Sequence, residues 1–175
     1  AHERGAPVLS GPPQPVASVG DLVVPGPAGP IALRAYAGAT GGRLPTVVYL
    51  HGGGWTVGSI ASFDAVGRAL ARASGALVVS VGYRLAPEHR FPAAPDDVDV
   101  ALDWLDRHAA EQGLAGPVSV LGDSAGDNLA LVAALRHPGR FARVVLIYPF
   151  LDPEADYESY RTEAHGMDAA EGEWY

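Results

Sequence analysis

The sequence predicts an α/β fold, a mostly parallel sheet with helices on both faces, and three observations predict it. Strand-like and helix-like segments alternate three times with short joints from Thr46 onward, as crossover units do. Several of the strand candidates are apolar at every position, the pattern of strands covered on both faces. With 175 residues, 48% of them hydrophobic and 18% charged, the chain is long enough for one well-buried core.

Residues 1–30 read as a Pro-rich arm and first strand. Seven prolines between Pro7 and Pro30 exclude a long helix, which leaves room for a short strand near Val19–Val24. Residues 31–150 read as the α/β core. Ile31, Leu33 and Ala35 alternate with smaller or polar neighbours, a turn covers Gly38–Pro45, and Thr46–Leu50 is apolar, so two neighbouring strands are expected. Phe63, Val66, Leu70 and Ala73 recur as one face of a helix, and Ala76–Val81 reads as a doubly covered strand. Tyr83–Pro95 holds three prolines and is expected to be loop; Asp96 and Asp97 then cap a helix striped by Val98, Leu102, Leu105 and Ala109. Pro117–Leu121 is a strand, Leu129, Val132 and Leu135 mark a helix, and Val144–Tyr148 is a strand that belongs in the middle of a sheet. Residues 151–175 read as the start of a cap or C-terminal region, with no convincing strand after residue 149, so the chain is expected to stop early.

Composition excludes several classes of function. A net charge of -8 gives no basic face for nucleic acid or anionic membrane. The absence of cysteine excludes disulfides, thiol nucleophiles and thiolate metal sites. No apolar run is long enough to span a membrane and no secretory signal pattern opens the chain, so a cytoplasmic location is expected. Neither a P-loop nor a GxGxxG follows a strand, so nucleotide binding has no support.

Two motifs carry chemistry. Gly122-Asp123-Ser124-Ala125-Gly126 is a GxSxG between a predicted strand and a predicted helix, the setting of a nucleophile elbow. Small neighbours permit the sharp turn that exposes the Ser124 hydroxyl, and the Ala125 N–H at the helix start faces a developing oxyanion. An ordinary N-cap fits too, since Ser124 and Asp127 match the capping-box spacing. The second motif, His51-Gly52-Gly53-Gly54-Trp55, ends a strand 73 residues before Ser124. Three successive glycines leave N–H groups free to converge on one point, as the other half of an oxyanion hole requires.

HGGGW, VGYRLAPEHRFPAAPDD, GDSAGDN and LIYPFLD, in that order, resemble the hormone-sensitive-lipase-like branch (bacterial esterase family IV) of the α/β-hydrolases, carboxylesterases acting on small esters. The resemblance runs from about residue 31 to residue 175, the N-terminal portion of such a protein. It implies Ser124 as the acyl-accepting nucleophile and the N–H groups of Gly53, Gly54 and Ala125 as the oxyanion hole. His51, Asp123 and Asp127 are supporting residues, His51 ordering its loop rather than acting as the base. Tyr83, Arg84 and Glu88 are implied structural ties, whereas His89, His108 and His137 read as surface residues. No metal or organic cofactor is implied.

Three departures from the family pattern matter. Its acid and base follow the nucleophile on loops after two further strands, and the matching segments are absent from the 51 residues beyond Ser124; Asp152, Asp156, His165 and Asp168 are poor substitutes. Asp127 stands in place of a glycine, and a carboxylate about 6 Å from an oxyanion at an effective dielectric of about 20 opposes it by about 3 kcal/mol. Gly82 stands where the family has Asp, which removes one polar tie. The leading expectation is a serine carboxylesterase of which this chain lacks the Asp and His. The alternatives are a non-catalytic binding or structural fragment of the same fold, as in the gibberellin receptors that resemble this family, or half of a two-chain esterase. The expected partners are a small ester and either a second copy or a complementary C-terminal chain.

Overall fold

A computed structural model describes residues 12–108, 111, 114–152 and 158, without the side chains of 114–117. Its elements are β1 (Ser18–Gly26), β2 (Gly29–Ala37), β3 (Leu44–Leu50), α1 (Asp64–Ser74), β4 (Leu77–Gly82), α2 (Ala93–His108), β5 (Leu114–Asp123), α3 (Ala125–Arg136) and β6 (Val144–Ile147). They form one six-stranded sheet in the order β1-β2-β4-β3-β5-β6. β1, β2 and β4 pair antiparallel, while β4, β3, β5 and β6 run parallel.

The expected adjacency of β2 and β3 is corrected: β4 lies between them. The crossover through α1 returns β4 to the edge of β3, and β2 then pairs with the far side of β4, Leu33 opposite Val81. Period-two alternation reports which face a residue takes, never which strand is its neighbour.

Alternate residues of each strand feed two cores. Ile31, Leu33, Val48, Leu50, Val79, Val81 and Val120 pack with Val98, Leu102, Leu105 of α2 and Leu129, Ala130, Ala133 of α3. On the opposite face Tyr36, Tyr49, Val78 and Leu121 meet Phe63, Leu70 and Ala71 of the α1 region. The face of α1 differs from expectation, because Val66 is 39% exposed while Gly67 and Ala71 are buried. A Cβ on Gly67 would meet the Tyr36 ring at 2.5 Å, so helix and sheet approach too closely for a larger side chain. Leu135, placed on the apolar stripe of α3 by its spacing, is 70% exposed for the same kind of reason; alanines and Gly126 make the contact.

Helix α2 starts at Ala93, inside the segment expected to be loop, with Pro95 in its first turn, where a missing N–H costs nothing. Asp96 is therefore in the first turn and Asp97 is buried, so neither is the N-cap. β5 is longer than the Pro117–Leu121 core read from the sequence, and β6 is the outermost strand rather than a central one among the described residues. No helix of the described residues is long and apolar enough to cross a membrane.

Candidate active site

Ser124 sits on the joint between β5 and α3 with φ 52° and ψ -116°. Such a conformation costs a non-glycine residue about 1–3 kcal/mol, and here the surroundings impose it. The two flanking glycines are the reason. A Cβ on Gly122 would strike the carbonyl of Gly126, and one on Gly126 would strike the carbonyl of Leu50, so strand and helix can turn this tightly only with both positions bare. The Ser124 side chain makes no capping hydrogen bond, which sets aside the capping-box alternative; the Ser124 N–H instead donates to the Ile147 carbonyl at 3.1 Å.

The glycine loop lies at the end of the neighbouring strand β3. Gly53 and Gly54 have φ of 123° and 55°, which glycine alone adopts freely. The Gly53 carbonyl is turned away and accepts from the N–H groups of Thr56 at 3.1 Å and Val57 at 3.0 Å. The N–H groups of Gly53 and Gly54 donate to no described residue.

Asp123 joins the two motifs. Its Oδ1 accepts from the Tyr49 hydroxyl at 2.6 Å and from the Gly52 N–H at 3.1 Å, and its Oδ2 accepts from the Tyr148 hydroxyl at 3.1 Å. A Cβ on Gly52 would stand 2.5 Å from that Oδ2, so the first glycine of the loop is bare to let the carboxylate reach the backbone. Burial, with Asp123 adding to it, pushes the Tyr49 hydroxyl well above its usual pKa, which keeps it a donor.

His51 is 1% exposed, stacked between Tyr83 at 4.5 Å and Phe63 at 5.2 Å between centroids. Its Nδ1 lies 2.8 Å from the Gly52 carbonyl, an acceptor, so Nδ1 carries the proton. Burial lowers its pKa, against the Gly52 carbonyl and Asp123. A neutral, sandwiched imidazole spends its donor on its own loop, as the ordering role requires. Tyr83 donates its hydroxyl to the His51 carbonyl. Arg84 grips Asp97 with Nε and Nη2, the latter at 2.7 Å, and its backbone N–H reaches the same carboxylate at 2.9 Å. Tyr83 and Arg84 are thus ties; Glu88 is exposed and makes no tie to the described residues.

Asp127 is fully buried, its Oδ1 accepting from the Ile147 N–H at 2.8 Å while Oδ2 has no partner. Its carboxylate is directed to the end of β6. His108 and His137 are half-buried at the surface, each with a neighbour: His108 stacks on Trp104 at 4.2 Å, and the His137 Nε2 lies 2.9 Å from Asp99. His89 is exposed as expected. Asp152 is exposed, and Asp156, His165 and Asp168 lie outside the described residues. Among the described residues no cluster could hold a metal ion.

Beside the motifs opens a cavity of about 310 Å³ lined by Trp55, Phe91, Asn128, Leu129, Val132 and Phe150. Trp55 directly follows Gly54, and Asn128 and Leu129 lie in the first two turns of α3. The sequence reading missed this cavity, the Tyr49 and Tyr148 bonds to Asp123, and the Asp127–Ile147 bond. Only the tyrosine that immediately precedes Leu50-His51 offered a signal.

A model of the α/β-hydrolase fold matches residues 47–175. The carboxylic ester hydrolase LipN of Mycobacterium tuberculosis is 41% identical over 177 residues, covering 95% of this chain and 47% of that protein. The ethyl acetate hydrolase of Pseudomonas putida is 39% identical over 137 residues, 74% of this chain and 43% of that protein. Among solved structures, a thermophilic carboxylesterase cloned from a metagenomic library superposes with a TM-score of 0.90 at 36% identity, over 99% of this chain and 63% of that one. The hyperthermophilic esterase of Pyrobaculum calidifontis gives 0.86 at 39%, over 99% and 59%. The chain spans about half the length of these curated relatives. With the family match over residues 47–175 and the identity to these esterases, the chain belongs to the hormone-sensitive-lipase-like branch of the α/β-hydrolase family.

Proposed function

We propose that the chain carries the nucleophile and oxyanion hole of a serine carboxylesterase acting on small acyl esters. The observation that carries the reading is the strained Ser124, next in the chain to Asp123, whose carboxylate anchors the glycine loop. In the reaction, Ser124 Oγ bonds to the ester carbonyl carbon while its proton passes to a base. The carbonyl oxygen becomes an anion facing the N–H groups of Gly53, Gly54 and Ala125. Collapse expels the alcohol, which takes that proton, and water then releases the acid from the acyl-enzyme. The base and its orienting acid come from polypeptide outside the described residues. The cavity between Trp55 and Leu129, mostly apolar but with Arg84, His89 and Asn128 on its walls, supports an ester with a compact apolar group. The reaction proceeds in the cytoplasm and calls for no metal or organic cofactor.

A second reading, a binding module or one half of a two-chain esterase, draws on one observation: His51, the histidine of the glycine loop, is committed to Gly52. Hydrolysis of a short nitrophenyl ester decides between them. The 175-residue chain alone turns over weakly, and addition of a polypeptide supplying the later Asp and His raises the rate, which Ser124→Ala then lowers by on the order of a thousandfold or more. Full turnover by the chain alone would mean that it contains its own base, with His165 the first suspect. No turnover in the completed protein, with a small molecule held in the cavity, would favour the binding module.

A further inference from the structure

We propose that Asp127 is a positioning residue that clasps the nucleophile elbow to the end of β6, holding Ser124 and the Tyr148–Phe150 segment as one piece. The proposal deepens the esterase reading and rests on Ser124 being the nucleophile. Three hydrogen bonds close a ring. The Ser124 N–H donates to the Ile147 carbonyl at 3.1 Å, the Ile147 N–H donates to Asp127 Oδ1 at 2.8 Å, and the Asp127 N–H donates to the Ser124 carbonyl at 3.1 Å. Only the second bond depends on a side chain, and glycine or alanine at position 127 would open the ring there.

The ring matters beyond the elbow because of the residues that come after Ile147. Tyr148, at φ 50°, donates its hydroxyl to Asp123 Oδ2, and the Phe150 ring stands edge-on to Trp55 at 6.3 Å. Asp123 in turn holds Gly52, and Trp55 is next to Gly54. The clasp therefore steadies the elbow, the glycine loop and one wall of the cavity together.

The surroundings of Asp127 disfavour its charge. Asp127 faces Asp123 from the end of β5 and Tyr148 from beyond β6, and no described arginine or histidine pairs with it. Burial raises its pKa and Asp123 raises it further, against the N–H groups of Ile147 and Ser124.

The test compares Asp127→Ala and Asp127→Asn in the intact protein, by steady-state kinetics on a short nitrophenyl ester and by amide hydrogen exchange at Ser124 and Ile147. Asp127→Ala is expected to lower kcat about tenfold with KM changed by less than about twofold, the loss of one hydrogen bond made to the scaffold and none to substrate. Exchange at both amides should quicken by about the same factor. Asp127→Asn, which offers the same acceptor on a neutral group, should recover most of both losses. A kcat at or above wild type in Asp127→Ala overturns the proposal, as does failure of Asn to rescue, or unchanged exchange. If Ser124→Ala leaves turnover intact, the esterase reading fails separately, and exchange still decides the clasp. Should Asp127→Ala not fold, Asp127→Asn with wild-type exchange supports the clasp and with quickened exchange overturns it.

Discussion

Asp123 is the residue through which the two halves of the site communicate, so its removal has consequences that its size does not suggest. Replacing it with alanine orphans two buried donors, the Tyr49 hydroxyl and the Gly52 N–H. At about 1–3 kcal/mol for each unsatisfied buried group, Asp123→Ala is expected to destabilise the fold by about 2–6 kcal/mol, read from denaturant midpoints. A loss below about 1 kcal/mol would mean that water reaches both donors, at odds with their burial. His51 gives a prediction of the opposite character, in pH. Its native pKa lies below the ordinary 6.5, so the unfolded chain binds a proton that the native one refuses. The neutral imidazole's contribution is complete above pH 6.5 and drains away as the pH falls from there through the lowered native value. The pH slope of stability in that window should be shallower in His51→Gln than in wild type. Equal slopes would show that His51 titrates normally.

At the scale of elements, α2 and α3 are joined by a ladder of charges that the sequence only half disclosed. Asp96, Asp99, Asp103 and Asp106 form one stripe of α2, facing Arg136 at the end of α3 and His137 and Arg140 just beyond it. Several of these groups are a third exposed or more, so each pair is worth little, about 0.2–1 kcal/mol, and salt weakens it. Asp99→Ala removes a partner from both Arg136 and His137, and is expected to cost less than about 1 kcal/mol, with the cost shrinking as salt is raised to about 1 M. A cost that ignores salt would assign the effect to packing. The same contrast explains what was legible. Periodicity marked β2 and the three helices, and continuous apolar runs marked β3, β4 and β6, because burial leaves its pattern on the residues of one element. The strand order was invisible, since β2 reaches β4 across a stretch of about forty residues that no local pattern encodes. The face of α1 is hidden from periodicity because Gly67 is chosen for what it lacks. In the site, Ser124 and the loop of Gly53 and Gly54 were legible from glycines whose spacing the backbone conformation demands. The bonds from Tyr49 and Tyr148 to Asp123 were not, because they join residues 74 and 25 positions apart only once β3, β5 and β6 lie side by side.

At the scale of the whole molecule, the described sheet is covered on both faces over β2 to β5 and becomes bare toward β6. Val144, Val145 and Ile147 are 40%, 41% and 38% exposed, and Tyr148 and Leu151 beyond them are 69% and 47% exposed. An all-apolar parallel strand of this kind is ordinarily sandwiched between helices with a neighbour on each side, and here only β5 pairs with it among the described residues. Unpaired backbone groups beside apolar side chains recruit another surface, and the relatives of solved structure, of which this chain covers 59% and 63%, have further polypeptide to offer. The 175-residue chain by itself is therefore expected to self-associate at micromolar concentration and to bind a hydrophobic dye strongly. Replacing Val145 and Ile147 together by lysine should suppress both signals while leaving the α1 face untouched, because charge on an edge opposes strand addition. Light scattering and dye fluorescence on freshly purified chain measure the two effects. A compact monomer with cooperative unfolding and no dye signal would overturn the expectation and would require a segment outside the described residues to lie over β6, in which case the lysine pair would expose the sheet instead of protecting it.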